Sequence, residues 1–186
     1  KAAQRSIKKI ARMTFKPIGR IFDPARNSVY KTEDLSKALI DTCIRNGSAE
    51  QCSFPSPDTM LRRLHRVDES SFYRVLKELN DKLLMKLGLR RRAVMALDFR
   101  TFPYYGEEQP ALVGDSRLPG TKLGVRFAML SVVEAGRTFV LRVEQVTPFH
   151  STVQILERML DSVPLKPRLL LLDRGFYAVE VILALK

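Results

Sequence analysis

Two short runs constrain the fold of this chain more than any other feature: Ala93-Val94-Met95-Ala96-Leu97-Asp98-Phe99 and Leu169-Leu170-Leu171-Leu172-Asp173. In each, an unbroken apolar stretch leads into one carboxylate. Such stretches read as strands buried on both faces. Asp98 is then expected at or near the end of a central strand, where α/β sheets bind their ligands. Two strands of this kind would bring two carboxylates side by side. Like charges at close range repel, so the pair needs a compensating partner, and a divalent cation is the simplest one.

Charge is the second constraint. The 186 residues carry a formal net charge of +12, with a pI of about 10. From Lys1 to Arg92 there are 21 basic residues against 10 acidic, a net +11; from Ala93 to Lys186 there are 11 against 10, a net +1. A basic half therefore precedes the half that holds the two aspartates. This asymmetry predicts a polyanionic partner, most simply nucleic acid, although a solvated surface would look the same. With 45% hydrophobic residues the chain can form a core, in one domain or two small ones. Cys43 and Cys52 fit neither a zinc site nor a disulfide framework and read as thiols of a reducing, cytoplasmic setting, near the nucleoid if the partner is DNA. No apolar run approaches the ~20 residues that span a membrane. The first residue is Lys and the last two, Leu185-Lys186, fall inside an apolar periodic segment, so the chain reads as part of a longer, C-terminally truncated polypeptide.

The basic half divides into an arm and a helical domain. Residues 1–30 carry Lys8, Lys9, Arg12, Lys16, Arg20 and Arg26, broken by Pro17 and Pro24, and read as a basic arm. Residues 31–89 read as three helices. Thr32-Glu33-Asp34 starts the first, with an N-cap residue and two acids at the positive end of the dipole. Ser56-Pro57 starts a short second helix bearing Arg62 and Arg63, with Arg66 close behind. Asp68 caps a third, with Phe72, Val75, Leu76, Leu79, Leu83 and Leu87 at helical spacing. A short, arginine-bearing middle helix predicts a helix-turn-helix-like DNA-binding domain, against the plainer reading of a small bundle with a charged face. Arg90-Arg91-Arg92 precedes the Asp98 strand and could hold a backbone phosphate near it, or serve as a solvated hinge.

Residues 90–186 form the other domain. An aromatic turn follows Asp98, then a polar loop from Glu107 to Gly120. Strands are expected over Lys122–Val133 and Thr138–Val146, with a turn at Glu134–Arg137. A helix from Ser151 or Thr152 ends before Pro164 and Pro167. The Asp173 strand follows, then a helix from Gly175 to Lys186. Three largely antiparallel strands, a crossover helix and a parallel strand predict an α/β fold with an RNase H-like mixed sheet, in which the last strand lies beside the first. Asp98 and Asp173 would then be neighbours.

The segments ALDFRTFPYYG, GTKLGVRFAMLSVVEAGRTFVLRVEQVTP and LLLLDRGFYAVEVI resemble DDE transposases of bacterial and archaeal insertion sequences, over residues 56–186. The sharpest points of resemblance are the Asp before the Pro-Tyr-Tyr-Gly turn and the DRGFY step. The resemblance implies an RNase H-like catalytic domain with an Asp, Asp, Glu triad that binds two Mg²⁺ or Mn²⁺ ions. Asp98 matches the first acid, bridging both ions, and Asp173 the second, holding one. The third acid, a Glu on a later helix, has no match. It implies cleavage of transposon ends and strand transfer into target DNA, on double-stranded DNA and with a possible homodimer in the synaptic complex. Lys122 and Arg174 are candidates for neutralising nearby phosphate. Two other readings remain: a catalytically inert DNA-binding remnant, and an RNase H-like nuclease without strand transfer. Glu180 and Asp115 are weaker candidates for the third acid. Gly114 to Lys122 has the wrong order and spacing for a phosphate loop, and His65 and His150 stand alone.

Overall fold

A computed structural model of the chain describes residues 13–22, 28–45, 47–87, 92–134 and 137–186. The chain divides into two compact units, Lys1–Leu83 and Leu84–Lys186. The described part of the first unit is helical, and that of the second is built on a mixed sheet.

In the first unit, residues 13–19 are helical (α1), followed by α2 (Thr32–Ile44), a 3-10 turn (Ala49–Gln51), α3 (Pro57–Leu64) and α4 (Glu69–Leu87), whose residues from Leu84 on belong to the second unit. The starts of these helices follow from their caps. Asp68 accepts from the Ser71 N–H at 3.0 Å and opens α4. Pro57 stands first in α3, where its missing N–H costs nothing. At α2 the cap lies one residue earlier than expected: Lys31 is the N-cap, because the Asp34 carboxylate reaches back to the Lys31 N–H at 3.0 Å. The core joins Ile21, Phe22, Leu35, Cys52, Met60 and Val75. Ile21 and Phe22 lie in the stretch read as a basic arm; their apolar side chains are buried within the helical unit. Of that stretch, residues 1–12 and 23–27 lie outside the described residues.

The second unit contains β1 (Arg92–Pro103), β2 (Val113–Gly114), β3 (Leu123–Glu134), β4 (Arg137–Val146), α5 (Thr152–Asp161), β5 (Lys166–Leu172), a 3-10 turn (Arg174–Phe176) and α6 (Val179–Ala184). β1 pairs antiparallel with β3 on one side and parallel with β5 on the other. β2 and β4 both pair antiparallel with β3. The strand that follows α5 thus lies beside the first strand. Ser151 caps α5 by accepting from the Gln154 N–H at 3.2 Å, while Gln154 returns a bond to the Ser151 N–H.

Four sequence expectations are corrected. β1 is central but does not end at Asp98; it runs on to Pro103, because its second half keeps its partner in β3 through the pair Pro103–Gly124. The stretch read as an aromatic turn therefore begins as strand. Neither Asp strand is buried on both faces. Ala93, Met95 and Leu97 are buried, while Val94 and Ala96 are only half-buried. In β5, Leu169 and Leu171 are 53% and 45% exposed. The reason is one-sided packing: residues of α5 and α6 (Ile155, Leu156, Met159 and Val181) share a single core with Met95, Leu97, Leu130 and Leu141. Finally, the helix expected from Gly175 is split, since Phe176 is drawn into the core (1% exposed) and α6 begins only at Val179.

Candidate metal and nucleic-acid site

The last parallel pair between β1 and β5 is Leu97–Leu172. One residue further, the Asp173 N–H donates to the Leu97 carbonyl at 3.3 Å. Asp98 and Asp173 are therefore the next residues on two hydrogen-bonded parallel strands. Side chains alternate along a strand, so both share the face of Val94, Ala96, Leu169 and Leu171. Neighbouring strands run about 4.8 Å apart, so the two residues stand side by side across the ladder. Both residues are exposed. Among the described residues no hydrogen bond or ion pair engages the Asp98 carboxylate. Asp173 uses one oxygen locally: its Oδ1 accepts from the Arg174 N–H at 2.6 Å and caps the 3-10 turn.

That turn is locked to β1. Phe176 stacks on Phe99 with ring centroids 4.3 Å apart and planes 12° from parallel. Between Asp173 and Phe176, Gly175 passes so close to Phe99 that a Cβ there would sit 3.0 Å from the ring. The stacked pair and the bare glycine together fix the Asp173 backbone against the strand that carries Asp98.

A compact ion cluster adjoins Phe99. Arg117 grips Asp115 with two bonds, Nε to Oδ1 and NH2 to Oδ2, each 3.0 Å. Arg126 NH2 lies 3.5 Å from Oδ2 of the same carboxylate, and its Nε donates to Thr101 Oγ1 at 3.1 Å. The Arg126 guanidinium sits 5.9 Å over the Phe99 ring. Hydrogen bonds from Arg117, then the fields of both arginines, lower the Asp115 carboxyl to about 2. The Asp115 bond, with a further contribution from Asp173, raises the Arg117 guanidinium.

The residues expected to touch DNA are scattered. Arg62 and Arg66 are exposed on and just after α3; Arg63 is half-buried and donates to Ser28 Oγ at 3.1 Å. Arg90 and Arg91 lie outside the described residues. Arg92 is exposed at the start of β1, six positions from Asp98 and hence ~20 Å along the strand, which corrects its expected place near the site. Lys122 is exposed just before β3, and its carbonyl accepts from the Asp115 N–H at 2.9 Å. Arg174 is exposed next to Asp173. Of the weaker acids, Asp115 is held by two arginines and Glu180 is exposed in the first turn of α6.

Among the described residues no group of three or more His, Cys, Asp or Glu could hold a metal ion. Two exposed carboxylates still suit Mg²⁺, which takes one or two of them and fills its remaining positions with water and substrate phosphate. The Asp115 cluster and the Phe99–Phe176 stack were not read from the sequence. Asp-x-Arg at 115–117 was a usable local signal; the partnership of Arg126 with Asp115 needed the β3 register.

No protein-family model matches the chain, and no curated protein matches it. Among solved structures, one similar chain is that of a piggyBac transposase synaptic complex with hairpin DNA, at 16% identity and a TM-score of 0.49 over 93% of this chain. The match spans 45% of that chain, less than half its length. No helix among the described residues is long and apolar enough to cross a membrane.

Proposed function

We propose that this chain belongs to a DNA transposase of the DDE type, in which Asp98 and Asp173 hold divalent metal for cleavage and strand transfer of DNA. The observation that carries the reading is the β1–β5 register, which brings two exposed carboxylates from residues 98 and 173 to adjacent positions. The strand order, with a parallel β5 beside β1 and an antiparallel β3 on the other side, is the one an RNase H-like sheet requires, and so supports this fold for the second unit. Bound Mg²⁺ or Mn²⁺ (two ions in this reading) supplies charge stabilisation to the oxygens of an in-line phosphoryl transfer.

The protein's own part is placement. Asp98 offers a carboxylate with no competing partner among the described residues. Asp173 is held by its own turn with one oxygen left to bind. Arg174 neutralises phosphate beside Asp173, and the helical unit holds duplex phosphates through Arg62, Arg63 and Arg66, with Arg90 and Arg91 adding to it. Lys122, like Arg92, stands ~20 Å along the sheet from Asp98 and serves a more distant part of the DNA strand. Transposon ends and target DNA are the substrates, and a homodimer would bring two ends together.

The test is product analysis with a protein that carries this chain. Asp98→Asn and Asp173→Asn should each abolish Mg²⁺-dependent cutting and joining and leave duplex binding intact. Wild-type product yields from either variant would overturn the reading. Cut but unjoined DNA from the wild type would indicate a nuclease, and duplex binding without any metal-dependent product would indicate a DNA-binding remnant.

A further inference from the structure

We infer that Arg117 is a phosphate-binding residue at the Asp173 end of the site, and that Asp115 is its positioning residue. The ligand is a backbone phosphodiester of the bound DNA strand, so the inference rests on the reading given above. The cluster has two guanidinium groups and one carboxylate, leaving a surplus of one positive charge. Asp115 is the shielded member, its side chain only 8% exposed, whereas the Arg117 side chain is 85% exposed. Asp115 takes two of the five guanidinium N–H donors of Arg117 and leaves three for a ligand. Arg126 also approaches Asp115, at Oδ2, so two guanidinium groups share one carboxylate and the cluster keeps a surplus positive charge.

The loop that presents Arg117 is fixed at many points. The Arg117 backbone N–H donates to Asp115 Oδ1 at 3.1 Å, and the Asp115 N–H to the Lys122 carbonyl at 2.9 Å. Tyr105 OH donates to the Pro119 carbonyl at 2.9 Å, and Thr121 Oγ1 to the Tyr104 carbonyl at 2.8 Å. Gly120, with φ of +73°, allows the chain to turn back. A charged fork held this way loses little freedom when it meets a phosphate. A run of contacts ties it to the Asp173 turn: Asp115 to Arg126, Arg126 over Phe99, and Phe99 against Gly175 and Phe176, which follow Asp173 directly; Phe99 and Arg126 themselves belong to the sheet face opposite Asp98. The plainer role, a local pair that staples a loop, accounts for the Arg117–Asp115 bonds. It leaves unexplained a second arginine on the same acid and a surplus cation in the field of Asp173.

The experiment is the salt dependence of duplex DNA binding by the whole chain in EDTA, measured by fluorescence anisotropy. Arg117→Ala should weaken binding and lower the slope of log K against log salt by about 1. Lys166→Ala, which removes an exposed charge at the far end of β5, is the control and should leave the slope unchanged. Arg117→Lys should restore the slope but only part of the affinity, since it keeps the charge and loses the fork. Asp115→Asn makes the protein more positive, so charge alone predicts tighter binding and a steeper slope. Loss of positioning predicts the opposite, a slope that falls towards that of Arg117→Ala. Tighter binding by Asp115→Asn, or an Arg117→Ala slope equal to wild type, overturns the assignment while duplex binding itself stands. Absence of any duplex binding by the wild-type chain overturns both this assignment and the reading beneath it. Mn²⁺ binding separates them further: it should survive Arg117→Ala and be lost in Asp98→Asn.

Discussion

Replacing Phe176 with Ala tests how the Asp173 turn is held. The ring is 1% exposed and stacks on Phe99 at 4.3 Å. Truncating a buried Phe to Ala removes its transfer energy and leaves a cavity, typically ~3–5 kcal/mol together. The stacked geometry adds about 0.5–1.5 kcal/mol. The position is rigid, with Gly175 already at contact distance from Phe99, so little collapse can refill the space. The expected cost is therefore at the upper end, about 4–5 kcal/mol, against the ~5–15 kcal/mol that holds a typical domain together. Phe176→Leu keeps most of the volume and should cost about 1.5 kcal/mol. Phe102, on the same strand as Phe99 but 51% exposed, is the control, and Phe102→Ala should cost under ~1 kcal/mol. Urea denaturation followed by circular dichroism gives the total. Hydrogen exchange of the Asp173 amide, bonded to the Leu97 carbonyl, locates the loss. A cost below ~1.5 kcal/mol for Phe176→Ala, or equal costs at positions 176 and 102, would refute the reasoning.

Other outcomes follow from single contacts. Gly175→Ala forces a methyl to within 3.0 Å of Phe99 and should destabilise by about 1–3 kcal/mol in the same urea assay. Asp68→Ala removes the cap of α4 and should cost about 1 kcal/mol, read as a lower thermal midpoint of the helical signal. The Asp115 carboxyl sits at about 2 in the folded chain, below its ordinary value of 3.8, so its contribution is complete above that value and is lost as pH falls towards 2. Thermal midpoints measured between pH 5 and pH 2 should therefore fall more steeply for wild type than for Asp115→Asn; parallel curves would contradict the cluster.

Much of the second unit was legible because its signals are local. Two apolar runs ending in Asp marked β1 and β5, and the start expected at Ser151 or Thr152 placed α5, which begins at Thr152 with Ser151 as its cap. The neighbouring positions of Asp98 and Asp173 followed from topology, since a crossover helix returns the chain beside its first strand. Faces were harder to read. A run such as Leu169–Leu172 looks alike whether a strand is covered on one side or two, and the packing of α5 and α6 on one face is a tertiary fact. β1 was read too short because Phe99 to Pro103 lost its apolar pattern, though not its ladder to β3. Arg92 seemed close to Asp98 in sequence, but an extended strand turns six residues into ~20 Å. The Asp115 cluster depends on Arg126, eleven positions away, and only the strand register makes them neighbours.

The most direct test of the central claim is Mn²⁺ binding to the chain, followed by electron paramagnetic resonance and calorimetry. Wild type should bind Mn²⁺ through Asp98 and Asp173, Mg²⁺ should compete, and Asp98→Asn and Asp173→Asn should each abolish binding with unchanged circular dichroism. A wild-type chain that binds no Mn²⁺, or variants that bind it as well as wild type, would contradict a metal site built on these two carboxylates.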